Sequence, residues 1–117
     1  MEAFLSDYWP IMIFILVFGY IKLRAIKIKK MLPRFLEQGA VIVDVRTEGE
    51  FLSAHNPGSI NIPLNQLKKR SQELDKSKMI LLCCASGTRS AIARRVLTSK
   101  GFKAVNAGTW GNTVVNT

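Results

Sequence analysis

Covalent chemistry in this chain concentrates in one stretch, Leu82-Cys83-Cys84-Ala85-Ser86-Gly87-Thr88-Arg89-Ser90. An apolar run ends in cysteine, passes through small residues and enters a segment of helical character. A strand-to-helix loop of this kind turns several backbone N–H groups inward and aims the positive end of the helix at its own centre. A thiol held there loses its proton more readily and becomes a nucleophile near neutral pH. Cys84 is the candidate nucleophile, and Ala85, Ser86, Gly87, Thr88 and Arg89 are the candidate substrate-binding residues. Gly87 allows a tight fold, and Ala85 and Ser86 leave the cradle unfilled. Arg89 supplies a permanent positive charge that can grip an oxyanion with two donors.

Supporting residues lie upstream and just behind the loop. Asp44, Arg46, Glu50 and Ser90 are expected to form an ion-pair and hydrogen-bond network beneath it, with Glu50 as the partner of Arg46. His55, in the turn-like His55-Asn56-Pro57-Gly58, is expected to order backbone rather than act as a base. Lys68-Lys69-Arg70 and Arg94-Arg95 read as solvated faces.

Elements that could position this loop fit in a short chain. At 117 residues there is room for one domain, and 48% hydrophobic with 21% charged residues excludes a disordered tail. Two adjacent cysteines make no disulfide framework and no zinc spacing, and a single histidine excludes a multi-histidine metal site. No metal or cofactor is expected. Residues 32–38 read as a short helix closed by Gly39, and 40–45 (AVIVDV) as a buried parallel strand. Thr47 and Glu50 form a capping box that opens a short helix. Residues 59–62 form a second strand, 64–74 a helix, 78–83 a third strand, 88–100 a helix burying Ile92, Val96 and Leu97, and 102–105 a last strand. Strands alternating with helices predict a small α/β unit whose mainly parallel sheet is flanked by helices on both faces.

The first thirty residues differ in kind. Residues 8–21 (YWPIMIFILVFGYI) carry no charge, and a reach of 3–23 gives the length of one transmembrane helix. Lys22, Arg24, Lys27, Lys29 and Lys30 follow, against Glu2 and Asp7 before. That asymmetry predicts an N-terminus outside and a body in the cytoplasm, as in a bacterial inner membrane. The organisation expected is therefore an anchor and basic segment over 1–30 and a domain over 31–117. The net charge of +9 raises nucleic acid as a partner. Five of the seventeen basic residues lie in 22–30, beside the apolar run, so lipid headgroups are the expected partner and nucleic acid is not.

Three motifs in order resemble the rhodanese-like sulfurtransferases of the short single-domain type. Cys84-Ala85-Ser86-Gly87-Thr88-Arg89-Ser90 is similar to that family's active loop, C-x-x-G-x-R-S. Asp44-Val45-Arg46 with Glu50-Phe51 is similar to D-V-R-x-x-x-E-F, and 55–63 (HNPGSINIP) to H-x-x-G-[SA]-I-N-[IL]-P. The resemblance implies that Cys84 takes sulfane sulfur from a donor such as thiosulfate or a persulfide and holds it as Cys–S–S⁻. It then passes the sulfur to cyanide, a thiol or a protein acceptor. It also implies a glycine pair and a final helix with a tryptophan, from which 106–112 (NAGTWGN) departs.

Two other readings stand beside it. Counted from Cys83, the spacing to Arg89 is Cys-x5-Arg, as in cysteine phosphatases and arsenate reductases, so phosphate or arsenate chemistry on Cys83 is the first alternative. The second is a membrane-tethered module that binds a partner without catalysis. Retention of Cys84, Gly87, Arg89 and Ser90 weighs against that.

Overall fold

The computed structural model describes residues 2–114, with side chains from residue 6 onward. A long helix α1 (Glu2–Glu37) is followed by β1 (Val41–Asp44), α2 (Glu48–Ser53), β2 (Ser59–Asn61), α3 (Leu64–Arg70), β3 (Ile80–Cys84), α4 (Thr88–Ser99) and β4 (Ala104–Thr109). Short 3-10 turns follow α3 (Ser71–Glu73) and β4 (Trp110–Thr113). All strands pair in parallel, in the order β2-β1-β3-β4. The expected α/β unit with a parallel sheet flanked by helices is thus observed.

Central β3 is buried at every position, so its side chains alternate between two apolar layers rather than between core and water. Leu82 and Cys84 pack with Val43, Val45, Leu67, Ala93 and Leu97, beneath α3 and α4. Leu81 and Cys83 pack with Ile42, Leu32 and Ala107, where Phe35 and Leu36 of α1 close the other face. Ile92, expected in the core, is half exposed, while Ala93 and Leu97 are buried. The buried stripe of α4 runs Ser90-Ala93-Leu97, at i, i+3, i+7, and Ile92 falls about 100° off it. The capping box forms as expected: the Thr47 side chain accepts from the Glu50 N–H, and the Glu50 carboxylate accepts from the Thr47 N–H. The last expected helix is a single 3-10 turn that carries Trp110.

The N-terminal region departs from its expectation. The short helix expected over 32–38 is instead the end of one continuous helix that includes the apolar run and the basic segment, through Glu37. No helix among the described residues is long and apolar enough to cross a membrane. At 1.5 Å rise per residue the uncharged run 8–21 spans about 21 Å, against a hydrocarbon core of about 30 Å. Lengthening it takes in Asp7 or Lys22. The helix is nevertheless apolar on every side: Phe14, Ile15, Leu16, Val17 and Phe18 are consecutive and each more than half exposed.

Candidate active site

Cys84 ends β3, and Ala85, Ser86 and Gly87 turn the chain into α4. Gly87 caps α4 with φ +95°, a left-handed conformation that costs glycine little. A side chain there would also bring its Cβ to 3.4 Å from the Gly108 Cα. The turn carries the Gly87 N–H to 2.9 Å from the Cys84 Sγ, as a donor. Ser90, one turn into α4, places its Oγ 3.4 Å from the same sulfur. Burial pushes the Cys84 thiol up. The Ser90 Oγ contact and the N–H groups of Ser90, Ser86 and Gly87 outweigh this and hold it below its usual value. Cys84 itself is covered, whereas Ala85, Ser86 and Thr88 around it are exposed.

Cys83 has none of this. One residue back along a strand, its side chain points to the opposite layer, among Leu32, Ile42, Leu81 and Ala107. Burial, then the nearby Asp44 carboxylate, pushes its thiol up to about 12. A Cys-x5-Arg cradle needs the first cysteine to face the loop, and the pleat of β3 turns it away.

Arg89 does not project free into the cradle. Its Nη1 and Nη2 donate to Glu50 Oε1 and Oε2 at 2.7 and 2.9 Å. This bidentate pair ties the start of α4 to α2. The Arg89 guanidinium, then the Thr47 backbone N–H, holds the Glu50 carboxyl down at about 2. Glu50 is therefore the partner of Arg89, not of Arg46 as the sequence suggested. Arg46 instead turns back on Asp44: its Nε and Nη2 donate to the carboxylate at 2.8–3.0 Å, and its N–H reaches Oδ1 at 3.0 Å. Nη2 also donates to the Ala54 carbonyl, and the guanidinium lies over the Trp110 ring at 5.0 Å. With Asp44 fully buried and Arg46 nearly so, this pair fastens β1 to the chain after α2. His55 sits on Phe51, with ring centroids 3.8 Å apart and Nδ1 2.6 Å from the Phe51 carbonyl oxygen. Ser86 and Thr88 face one another, hydroxyl to hydroxyl, at 3.3 Å.

Asn106, on β4, was not singled out from the sequence, yet it holds the loop. Its Oδ1 accepts from Ser90 Oγ at 2.6 Å and from the Gly108 N–H at 2.9 Å, and its Nδ2 donates to the Gly87 carbonyl at 3.1 Å. A register shift makes this possible: Leu82 pairs with Asn106 but Cys83 with Gly108. The irregularity re-aims β4 at the loop. The available signal was Asn106-Ala107-Gly108, a polar residue and a glycine interrupting an apolar strand.

The rhodanese-like domain family matches residues 29–109. Among curated relatives, the uncharacterized protein YqhL of Bacillus subtilis is 40% identical over 62 residues, which cover 53% of this chain and 49% of that protein. The thiosulfate sulfurtransferase GlpE of Pseudomonas syringae is 36% identical over 69 residues, or 59% of this chain and 65% of that one. The chain thus spans about half to two thirds of the length of these relatives. A solved structure described as a rhodanese with anions from E. coli superposes with a TM-score of 0.60 at 29% identity, covering 66% of this chain and 94% of that one. With the loop, the parallel sheet and more than half of the sequence in agreement, the chain belongs to the rhodanese-like domain family.

Proposed function

We propose that the protein is a sulfurtransferase that carries sulfane sulfur on Cys84. The observation that carries this reading is the convergence of the Gly87 N–H and the Ser90 hydroxyl on a thiol held below its usual pKa. The thiolate attacks the outer sulfur of a donor such as thiosulfate. A Cys84 Sγ–S bond forms, the donor's S–S bond breaks, and sulfite leaves with the electron pair. The persulfide anion that results takes over the loop donors, and a thiophilic acceptor then removes the outer sulfur. Ala85, Ser86 and Thr88 form the rim past which donor and acceptor reach the covered sulfur. Arg89 acts by locking the start of α4 onto Glu50, and Asp44, Arg46 and Ser90 support the loop from below. Phosphate or arsenate chemistry on Cys83 is disfavoured by the place of that thiol on the other face of the sheet.

The test is incubation of the protein with thiosulfate, followed by intact-mass analysis and thiocyanate formation on adding cyanide. Gain of one sulfur atom that persists in Cys83→Ser and vanishes in Cys84→Ser supports the reading. Arylphosphate or arsenate turnover lost in Cys83→Ser overturns it.

We further infer that the exposed apolar stretch of α1 seats the protein on an anionic bilayer without crossing it. Lys22, Lys29 and Lys30 stand next to that stretch, where headgroup phosphates lie. Sedimentation with phosphatidylglycerol vesicles, but not with phosphatidylcholine vesicles, is the expected result. Absence from both pellets removes the inference.

A further inference from the structure

An open groove of about 640 Å³ runs between α1 and the Cys84 loop, a size in the usual range for a small-molecule site. Ser86, Gly87 and Thr88 line it from the loop, and Tyr20, Arg24 and Ile28 from α1. Those three helix residues recur every four positions and so share one face, while Lys22 and Lys29 lie on the opposite one. Arg94 and Arg95 of α4 add two more guanidinium groups. No aspartate or glutamate lines the groove, and none of the three arginines belongs to an ion pair among the described residues. Arg94 Nε donates to the Ala104 carbonyl at 3.1 Å, which fixes one edge of its guanidinium beside the groove.

Three uncompensated positive charges, an aromatic ring and an aliphatic side chain, all against the exposed rim of a nucleophilic loop, define a complementary ligand. It is anionic, has a hydrocarbon body, and is larger than a donor of a few atoms such as thiosulfate. We propose that this groove binds an anionic thiol, the acceptor of the sulfane sulfur, with its carboxylates on Arg24, Arg94 and Arg95 and its thiol at Ser86–Thr88. The proposal rests on Cys84 being the sulfur carrier. In the transfer the acceptor thiol gives its proton to the Cys84 persulfide anion, and the resulting thiolate attacks the outer sulfur of Cys84–S–SH. An acceptor S–S bond forms, the Cys84 Sγ–S bond breaks, and Cys84 leaves as the thiolate already held by the loop donors. The acceptor departs as its persulfide, and no external oxidant or reductant is needed.

The experiment uses the full chain in neutral detergent, loaded with thiosulfate, and compares glutathione, which carries two carboxylates, with uncharged 2-mercaptoethanol as acceptors. Reversing two charges together, Arg24→Glu with Arg95→Glu, is expected to lower kcat/KM for glutathione about tenfold more than for 2-mercaptoethanol, through KM. The milder Arg24→Gln and Arg95→Gln variants are expected to lower it about threefold each, and the preference should shrink with added salt. An equal fall for both thiols, or no fall, overturns the proposal. So does a glutathione preference abolished in the wild type by phosphatidylglycerol vesicles, which would assign the arginines to lipid phosphate. If no sulfur adduct forms on the wild type, the Cys84 reading itself fails and the groove proposal falls with it. The mass measurement separates that failure from the others.

Discussion

Cys83 and Cys84 are neighbours on one strand, both fully buried, and the environments on the two faces of the sheet give them opposite chemistry. On the α1 side, apolar packing and the Asp44 carboxylate hold the Cys83 thiol protonated, with its pKa raised to about 12. On the α4 side, burial acts in the same direction, but the Ser90 Oγ contact and three backbone N–H groups reverse its effect on Cys84. Burial alone therefore does not decide reactivity in a cysteine: donors aimed at the sulfur do.

The largest expected effect comes from removing the activated member of the pair. Cys84→Ser should abolish sulfur loading and lower transfer about a thousandfold or more, read as loss of both thiocyanate and the mass adduct. If loading survives this change, the two faces have been assigned the wrong way round.

Asn106→Ala tests what creates the contrast. It removes the donor to the Gly87 carbonyl and the acceptor of the Gly108 N–H, so the turn that carries the Gly87 N–H to the sulfur loses its anchor. The Cys84 pKa should rise and the rate near neutral pH fall, with Asn106→Asp recovering only the acceptor contacts. The pH profile of alkylation by iodoacetamide reads this directly. In the wild type, Cys84 should react with an inflection below the ordinary thiol value of 9.0, and Cys83 should stay unlabelled until the chain unfolds. A merely structural role for Asn106 would lower stability without moving that inflection.

Glu50→Gln weakens the clamp between α2 and α4 and is expected to cost about threefold in transfer, the size of an exposed ion-pair effect. It also has a pH signature. The folded-state pKa of Glu50 is depressed from 4.5 to about 2, so its contribution to stability is complete above about pH 4.5 and is lost as the pH falls through about 2. The urea midpoints of wild type and variant should differ near neutral pH and converge through that acid window. A constant gap across it would mean that the carboxylate charge is not what matters.

Cys83→Ser should have the smallest effect on activity, within about twofold, because its hydroxyl faces the layer away from the loop. It is expected to cost about 1–3 kcal/mol of stability, since that hydroxyl is buried among apolar side chains, measured by denaturant unfolding. Loss of activity without loss of stability would bring Cys83 back into the chemistry.

Local pattern was enough for much of this. The capping box, the apolar strands, the turn at 55–58 and the loop after β3 each depend on a few consecutive residues, so their signals survive in one dimension. The contacts that assemble the site span longer stretches. Glu50 and Arg89 are 39 positions apart, and Ser90 and Asn106 are 16 apart. In sequence Arg46 lies four residues from Glu50, and proximity suggested that pair. In the fold Arg46 turns to Asp44 instead, because the end of β1 presents that buried carboxylate to both its backbone and its side chain.

The sequence by itself determined that a cysteine stands at a strand-to-helix junction rich in small residues, and that two cysteines compete for one role. It determined too that an apolar helix with a basic end precedes the domain. Tertiary structure decided the rest. The pleat of β3 sends adjacent thiols to opposite layers, and a register shift in β4 brings Asn106 under the loop. The packing of α1 against the sheet places Arg24 across a groove from Arg94 and Arg95. The division follows from range: backbone preference and periodicity are local, whereas the field at a sulfur atom is set by whichever groups folding brings within a few ångströms of it.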